Sequence, residues 1–245
     1  MHDKSKEYLV KTMRSLISII ALAYFSVTSA ADSDVIEKLE REENTWHRYF
    51  VFTTAISTVV PQDQQAVMAW LRERVTSGTA SDSRYALTYS HMLWRTRDPK
   101  LLDDATTYAV AGYLALQIES AHCETRREAM QVARQWYDPV RPQMQYYISL
   151  PRERKDTIFS VALDIGKRLS SVPPSDSKPG SDWMCYLLPS YVSKIVNLQD
   201  VVLDSRNQGS VSLNFLSHPT VKPPVASEQQ LAKQTTSIID DMKSF

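Results

Sequence analysis

Two cysteines, Cys123 and Cys185, are the residues whose chemistry is easiest to state. In an oxidising compartment an even cysteine count favours a disulfide, and here only one pairing is available. The competing chemistry is a Cys123 nucleophile assisted by His122. Neighbouring residues on a helix point about 100° apart, which leaves that pair badly oriented. His47, His91, His122 and His218 offer no metal face either, since none lies three or four residues from another His or Cys. They read as solvated or hydrogen-bonded side chains, and no catalytic, cofactor-binding or metal-ligating set is assigned. Asp103-Asp104 and Glu42-Glu43 are neighbours in sequence rather than facing pairs and are expected on solvated faces. Trp136-Tyr137 and Tyr146-Tyr147, close to prolines, read as corner packing.

Glu119 is the one carboxylate with a motif around it. Gln117-Ile118-Glu119-Ser120 resembles the helix-end Glu-Ser motif of lytic transglycosylases, exported lysozyme-like enzymes that act on peptidoglycan, and Met130-Gln131-Val132 echoes that family's downstream segment. The resemblance implies a general acid/base at Glu119, its pKa raised by an apolar cleft. It spans only Gln117 to Val132, with a shorter spacing than the family's and without its glycines.

The elements that must position these residues begin after a leader. Lys4, Lys6, Lys11 and Arg14 precede an apolar stretch, Leu16 to Val27, which ends in Thr28-Ser29-Ala30-Ala31. A basic start, a short apolar middle and a small-residue exit form a secretory signal pattern over 1–30, read from Met1 or from Met13. The apolar stretch is shorter than the about 20 residues a membrane-spanning helix needs. Cleavage is expected just before Ala31 or Asp32. The whole chain balances 28 basic against 28 acidic side chains. Losing the leader removes four of the former (Lys4, Lys6, Lys11, Arg14) and two of the latter (Asp3, Glu7), which leaves a net charge near −2. That balance argues against nucleic acid as a partner and against a polybasic membrane patch. The five glycines, Gly78, Gly112, Gly166, Gly180 and Gly209, are widely scattered. A P-loop, a dinucleotide fingerprint and a G-x-S-x-G elbow are all thereby excluded.

From Asp32 to about Ser171 the apolar residues recur with helical period. Val35, Leu39, Trp46, Tyr49, Phe50 and Thr53 predict a long first helix, and Val67, Trp70, Leu71 and Val75 a second, behind Pro61 and stopped at Ser77-Gly78. Tyr85, Ala86, Tyr89, Met92 and Leu93 mark a third. Asp98 is the expected N-cap of a fourth over about 99–121, whose stripe Leu101, Ala105, Tyr108, Ala109, Gly112 and Leu116 contains three small residues that allow close approach. A fifth over about 125–137 is expected to turn Met130, Ala133 and Tyr137 inward, with the chain broken by Pro139 and Pro142. A sixth over 152–171 has Ile158, Ala162, Ile165 and Leu169 on one stripe. The expected fold is all-α: an irregular bundle or short array of antiparallel helical hairpins over 31–172. A Pro-rich loop and a segment over 173–200, docked back by the disulfide, should follow. Beyond it comes a flexible extension over 201–245, with a hairpin around Asn207-Gln208-Gly209, an extended stretch 218–227 and a short terminal helix.

Export, helical hairpins and the missing catalytic signatures together favour a non-enzymatic envelope protein, periplasmic or secreted, that binds another envelope protein or a peptide without a cofactor. The alternative is a lysozyme-like enzyme using Glu119.

Overall fold

A computed structural model describes residues 34–43, 49–78, 82–171, 182–188, 201–204, 212–215 and 225–244. The leader 1–30 and most of the Pro-rich loop lie outside these residues. The fold is all-α. Its helices are α1 (34–43), α2 (Tyr49–Ser57), α3 (Pro61–Ser77), α4 (Ser83–Arg95), α5 (Leu102–Ala121), α6 (Arg126–Tyr137), α7 (Arg141–Ser149), α8 (Arg152–Leu169) and α9 (Glu228–Lys243). Short 3-10 turns occupy Pro99–Leu101, Asp138–Val140 and Trp183–Leu187. Two four-residue strands, β1 (Val201–Asp204) and β2 (Ser212–Phe215), pair antiparallel with Val201 opposite Phe215.

Helix α5 is the axis of the molecule. Its buried residues include Ala105, Thr106, Leu114 and Ala115, which face in different directions around the helix. A helix apolar all round belongs inside a bundle. It packs against α4, α6, α7, α8 and α9. Small residues set two of these crossings. A Cβ on Gly112 would lie 2.7 Å from Leu87 Cγ and 3.0 Å from the Leu87 backbone nitrogen. A Cβ on Gly166 of α8 would lie 3.0 Å from the Ala111 carbonyl oxygen. Both crossings therefore bring backbones close, which larger side chains would prevent.

Local signals explain most helix ends. Asp82 caps α4 by accepting from the Arg84 backbone N–H, and Asp98 accepts from that of Lys100. Pro61 sits in the first turn of α3, and the helix stops at Gly78. Val67, Trp70, Leu71 and Val75 are its buried residues.

Elsewhere the structure corrects the expectations. Pro142 does not break the chain. It stands in the first turn of α7, where its missing N–H leaves no helix bond unmade. Helix α6 buries Ala129, Ala133 and Trp136, with Met130 and Tyr137 at the edge of the core. Among the described side chains of α2, Val51, Phe52 and Ala55 are buried while Thr53 is exposed; those of Tyr49 and Phe50 lie outside the described set. Residues 44–48, between α1 and α2, lie outside the described set.

The terminal helix α9 is docked rather than free. Ile238 and Met242 are buried against the core, and α9 packs on α5. Its approach is tied by an antiparallel bridge between Cys123 and Val225, with the Ala226 N–H donating to the His122 carbonyl at 2.7 Å. An isolated helix of this length is marginal in water; here tertiary burial stabilises it.

Candidate functional site

Glu119 lies in the last turns of α5, where the start of α4 and the 183–187 turn meet it. Its carboxylate is fully buried. Oε1 accepts from the Ser83 backbone N–H at 2.7 Å, and Oε2 from the Ser83 hydroxyl at 2.5 Å and from Trp183 Nε1 at 2.7 Å. Beside it a second charged pair is buried. Arg84 Nε and Nη2 donate to the two Asp82 oxygens at 3.0 and 2.9 Å. The Arg84 guanidinium stands 4.1 Å from the ring centre of Trp183, 4.9 Å from Phe52 and 5.7 Å from Trp136.

The buried junction thus holds one guanidinium and two carboxyl groups. Burial, and then the Asp82 charge, push the Glu119 pKa well above the ordinary carboxyl range, against the opposing pull of the Ser83 and Trp183 hydrogen bonds. A protonated Glu119 leaves Asp82 and Arg84 as a balanced pair. A raised pKa is what a general acid needs, but such a group must also reach a substrate. Here both oxygens are held by protein donors in a packed helix junction, and Glu119 lines none of the three clefts found among the described residues.

Cys123 and Cys185 form the disulfide, with Cα atoms 5.2 Å apart across a sequence separation of 62. It fixes the 183–187 turn to the end of α5, where Trp183, Met184, Cys185 and Tyr186 are buried. Cys123 therefore carries no thiol for His122 to activate. His122 caps the end of α5, and burial lowers its pKa, against the opposing charge of Asp182. His91 faces the Pro139 carbonyl at 3.3 Å, and burial lowers its pKa as well. His47 and His218 lie outside the described residues. Among the described residues no group of three His, Cys, Asp or Glu side chains is placed to hold a metal ion.

Glu43 departs from its expected solvated face. It is half-buried, takes Arg74 Nη2 at 2.8 Å and accepts from the Tyr85 hydroxyl at 2.6 Å, which joins α1 to α3 and α4. Asp103 is exposed as expected and pairs with Arg154 at 2.6 Å. Trp136 meets Phe52 and Trp183 edge-on, Tyr137 meets Tyr113, and Tyr146 meets Trp94, so these aromatics pack.

Space for a ligand lies elsewhere. Between α7, α8 and the end of α9 runs an open groove of about 650 Å³. Its α8 wall is formed by Arg152, Lys155, Asp156, Phe159, Ser160 and Leu163, which recur at helical spacing along one face. Tyr147 of α7 and Lys243 and Ser244 of α9 complete it. A smaller notch of about 150 Å³ opens between α2, α4 and α6, beside Ile56, Leu87 and Trp136.

The chain matches no family model, no curated protein and no solved structure. The groove and the buried carboxyl cluster must therefore be judged on their own geometry. No helix among the described residues is long and apolar enough to cross a membrane.

The sequence pointed to Glu119 but missed its partners Asp82, Ser83, Arg84 and Trp183. A usable signal was present in Asp82-Ser83-Arg84, an Asp N-cap directly before an apolar-periodic segment. The groove had no sequence signal, because Tyr147, Phe159 and Lys243 come from three separate helices.

Proposed function

We propose that the chain is an exported, non-enzymatic helical module of a bacterial cell envelope, which holds a segment of a partner protein in the α7–α8–α9 groove. The groove itself is the observation that carries this reading: a cleft of about 650 Å³ with an apolar floor and a charged rim, open to solvent. The leader pattern over 1–30 and the disulfide support export into an oxidising periplasmic or extracellular space. The lysozyme-like alternative draws no support from Glu119, whose carboxyl has no room beside it for a sugar.

A photo-crosslinking residue placed at Ser160, inside the groove, tests the reading against one at Gln131 on the exposed side of α6. In envelope extract we expect a discrete crosslinked product from position 160 and none from 131. Equal labelling at both positions, or none at either, overturns the groove as the binding face. Clearing of purified peptidoglycan by the chain, abolished in Glu119→Gln, would establish the enzymatic alternative instead.

A further inference from the structure

The notch between α2, α4 and α6 carries polar groups that the fold does not use. Ile56, Leu87, Trp136 and Pro139 form its apolar wall, and α4 also brings Thr88 and His91 to it. Residues three apart on a helix are neighbours on one face. Thr88 is only 3% exposed, yet its hydroxyl has no hydrogen-bond partner among the described residues. An unpaired buried hydroxyl costs stability, and valine would fill the same space without that cost. On His91, Nδ1 faces the Pro139 carbonyl oxygen at 3.3 Å; a carbonyl only accepts, so Nδ1 carries the proton. Burial holds the His91 pKa below its ordinary value, so near neutral pH the ring has no second proton. Nε2 therefore keeps its lone pair, and no described residue donates to it. Among the described residues no charged side chain lines the notch. Arg95, one turn past His91, donates to the Ile56 carbonyl at 2.7 Å.

We infer that this notch, apart from the α7–α8–α9 groove, is a binding site for a neutral phenol group. The phenol hydroxyl donates to His91 Nε2 and accepts from the Thr88 hydroxyl, and the ring lies against Leu87, Ile56 and Trp136. The polar pair names the head group, because one acceptor beside one donor matches a hydroxyl, which is both. The walls name the body. A space of about 150 Å³ is the size that takes a benzene ring, and a ring beside Trp136 gains aromatic contact as well as apolar burial. An aliphatic alcohol would satisfy the head group but forgo that contact. A charged ligand would lose hydration and meet no counter-charge in the wall.

The test is fluorine NMR of para-fluorophenol and of fluorobenzene titrated into the leader-free chain. The phenol should bind at least about tenfold tighter, the order expected of a hydroxyl held by two hydrogen bonds. It should also shift the His91 Nε2 resonance without moving that of His122. Thr88→Val should cut the preference to about threefold or less, with a melting temperature no lower than the parent's, since the lost hydroxyl has no protein partner. His91→Phe keeps a flat ring without the acceptor and should cut the preference likewise. Equal binding of the two ligands, or no binding of either at millimolar concentration, overturns the inference. So does a preference that survives either substitution or leaves the His91 resonance unmoved. A blocked tripeptide of glycine, tyrosine and glycine separates the two sources of such a group. Affinity equal to or above that of fluorophenol assigns the notch to a partner's tyrosine side chain, and weaker affinity to a free phenol.

Discussion

Glu119 shows how one buried carboxyl can act as a fastener between three segments. Folding raises its pKa, so the folded state holds the proton more tightly than the unfolded chain does. That contribution to stability is complete below the ordinary value of 4.5 and is lost as pH rises through the higher folded pKa. Asp82 and Arg84 share the junction, so Glu119→Gln isolates the effect. The melting-temperature advantage of the parent over Glu119→Gln should be larger near about pH 4 than near about pH 8. An advantage independent of pH would show that Glu119 does not titrate in this way. Trp183→Phe keeps the ring under Arg84 but removes the donor to Oε2. Oε2 keeps the Ser83 hydroxyl, so the change should destabilise by about 1 kcal/mol in urea titration, as the loss of one buried hydrogen bond does.

At the scale of elements, the crossings of α5 with α4 and α8 decide the bundle. Alanine is ordinarily favoured over glycine inside a helix by about 1 kcal/mol. At Gly112 that preference should reverse, because the added Cβ would press on the Leu87 side chain and on backbone that cannot yield. Gly112→Ala is expected to lose about 1–3 kcal/mol by urea denaturation, as overpacking does. A gain in stability would mean that α4 can shift outward freely. The stripe of small residues on α5 is legible in sequence as a close-approach surface, and α4 uses it. What the periodicity missed is that α5 has no outer face, since α8 and α9 cover the sides α4 leaves open.

For the whole molecule, the disulfide does what packing alone does weakly. The 183–187 turn is a short 3-10 segment with few backbone bonds of its own, yet it supplies Trp183 to Glu119 and to Arg84. Closing a loop of 62 residues removes unfolded-state entropy that corresponds to about 4 kcal/mol in the chain-entropy model, and often less in practice. Cys185→Ser, or reduction after partial unfolding, should therefore lower the melting temperature. It should also raise hydrogen exchange at Trp183–Leu187 and across the Val225 bridge to Cys123 before it affects α4 or α8. Uniform loosening of all helices would contradict a local fastening role.

The sequence by itself determined the helical class, the stops at Gly78 and Pro99, the buried face of α3 and the only cysteine pairing open to the chain. These depend on local turn chemistry, on a period within one element, or on counting. Tertiary structure alone decided the rest. Pro142 begins a helix because α7 has partners to pack against, and Glu43 is bound because α3 and α4 bring Arg74 and Tyr85 to it. Glu119 is sealed rather than exposed because Ser83 and Trp183, 36 and 64 residues away, supply all its donors. The groove exists because α9, packed on α5, brings its end residues Lys243 and Ser244 to the mouth between α7 and α8. Spacing within one stretch cannot encode such meetings, since each depends on surface buried between segments that the chain itself keeps far apart.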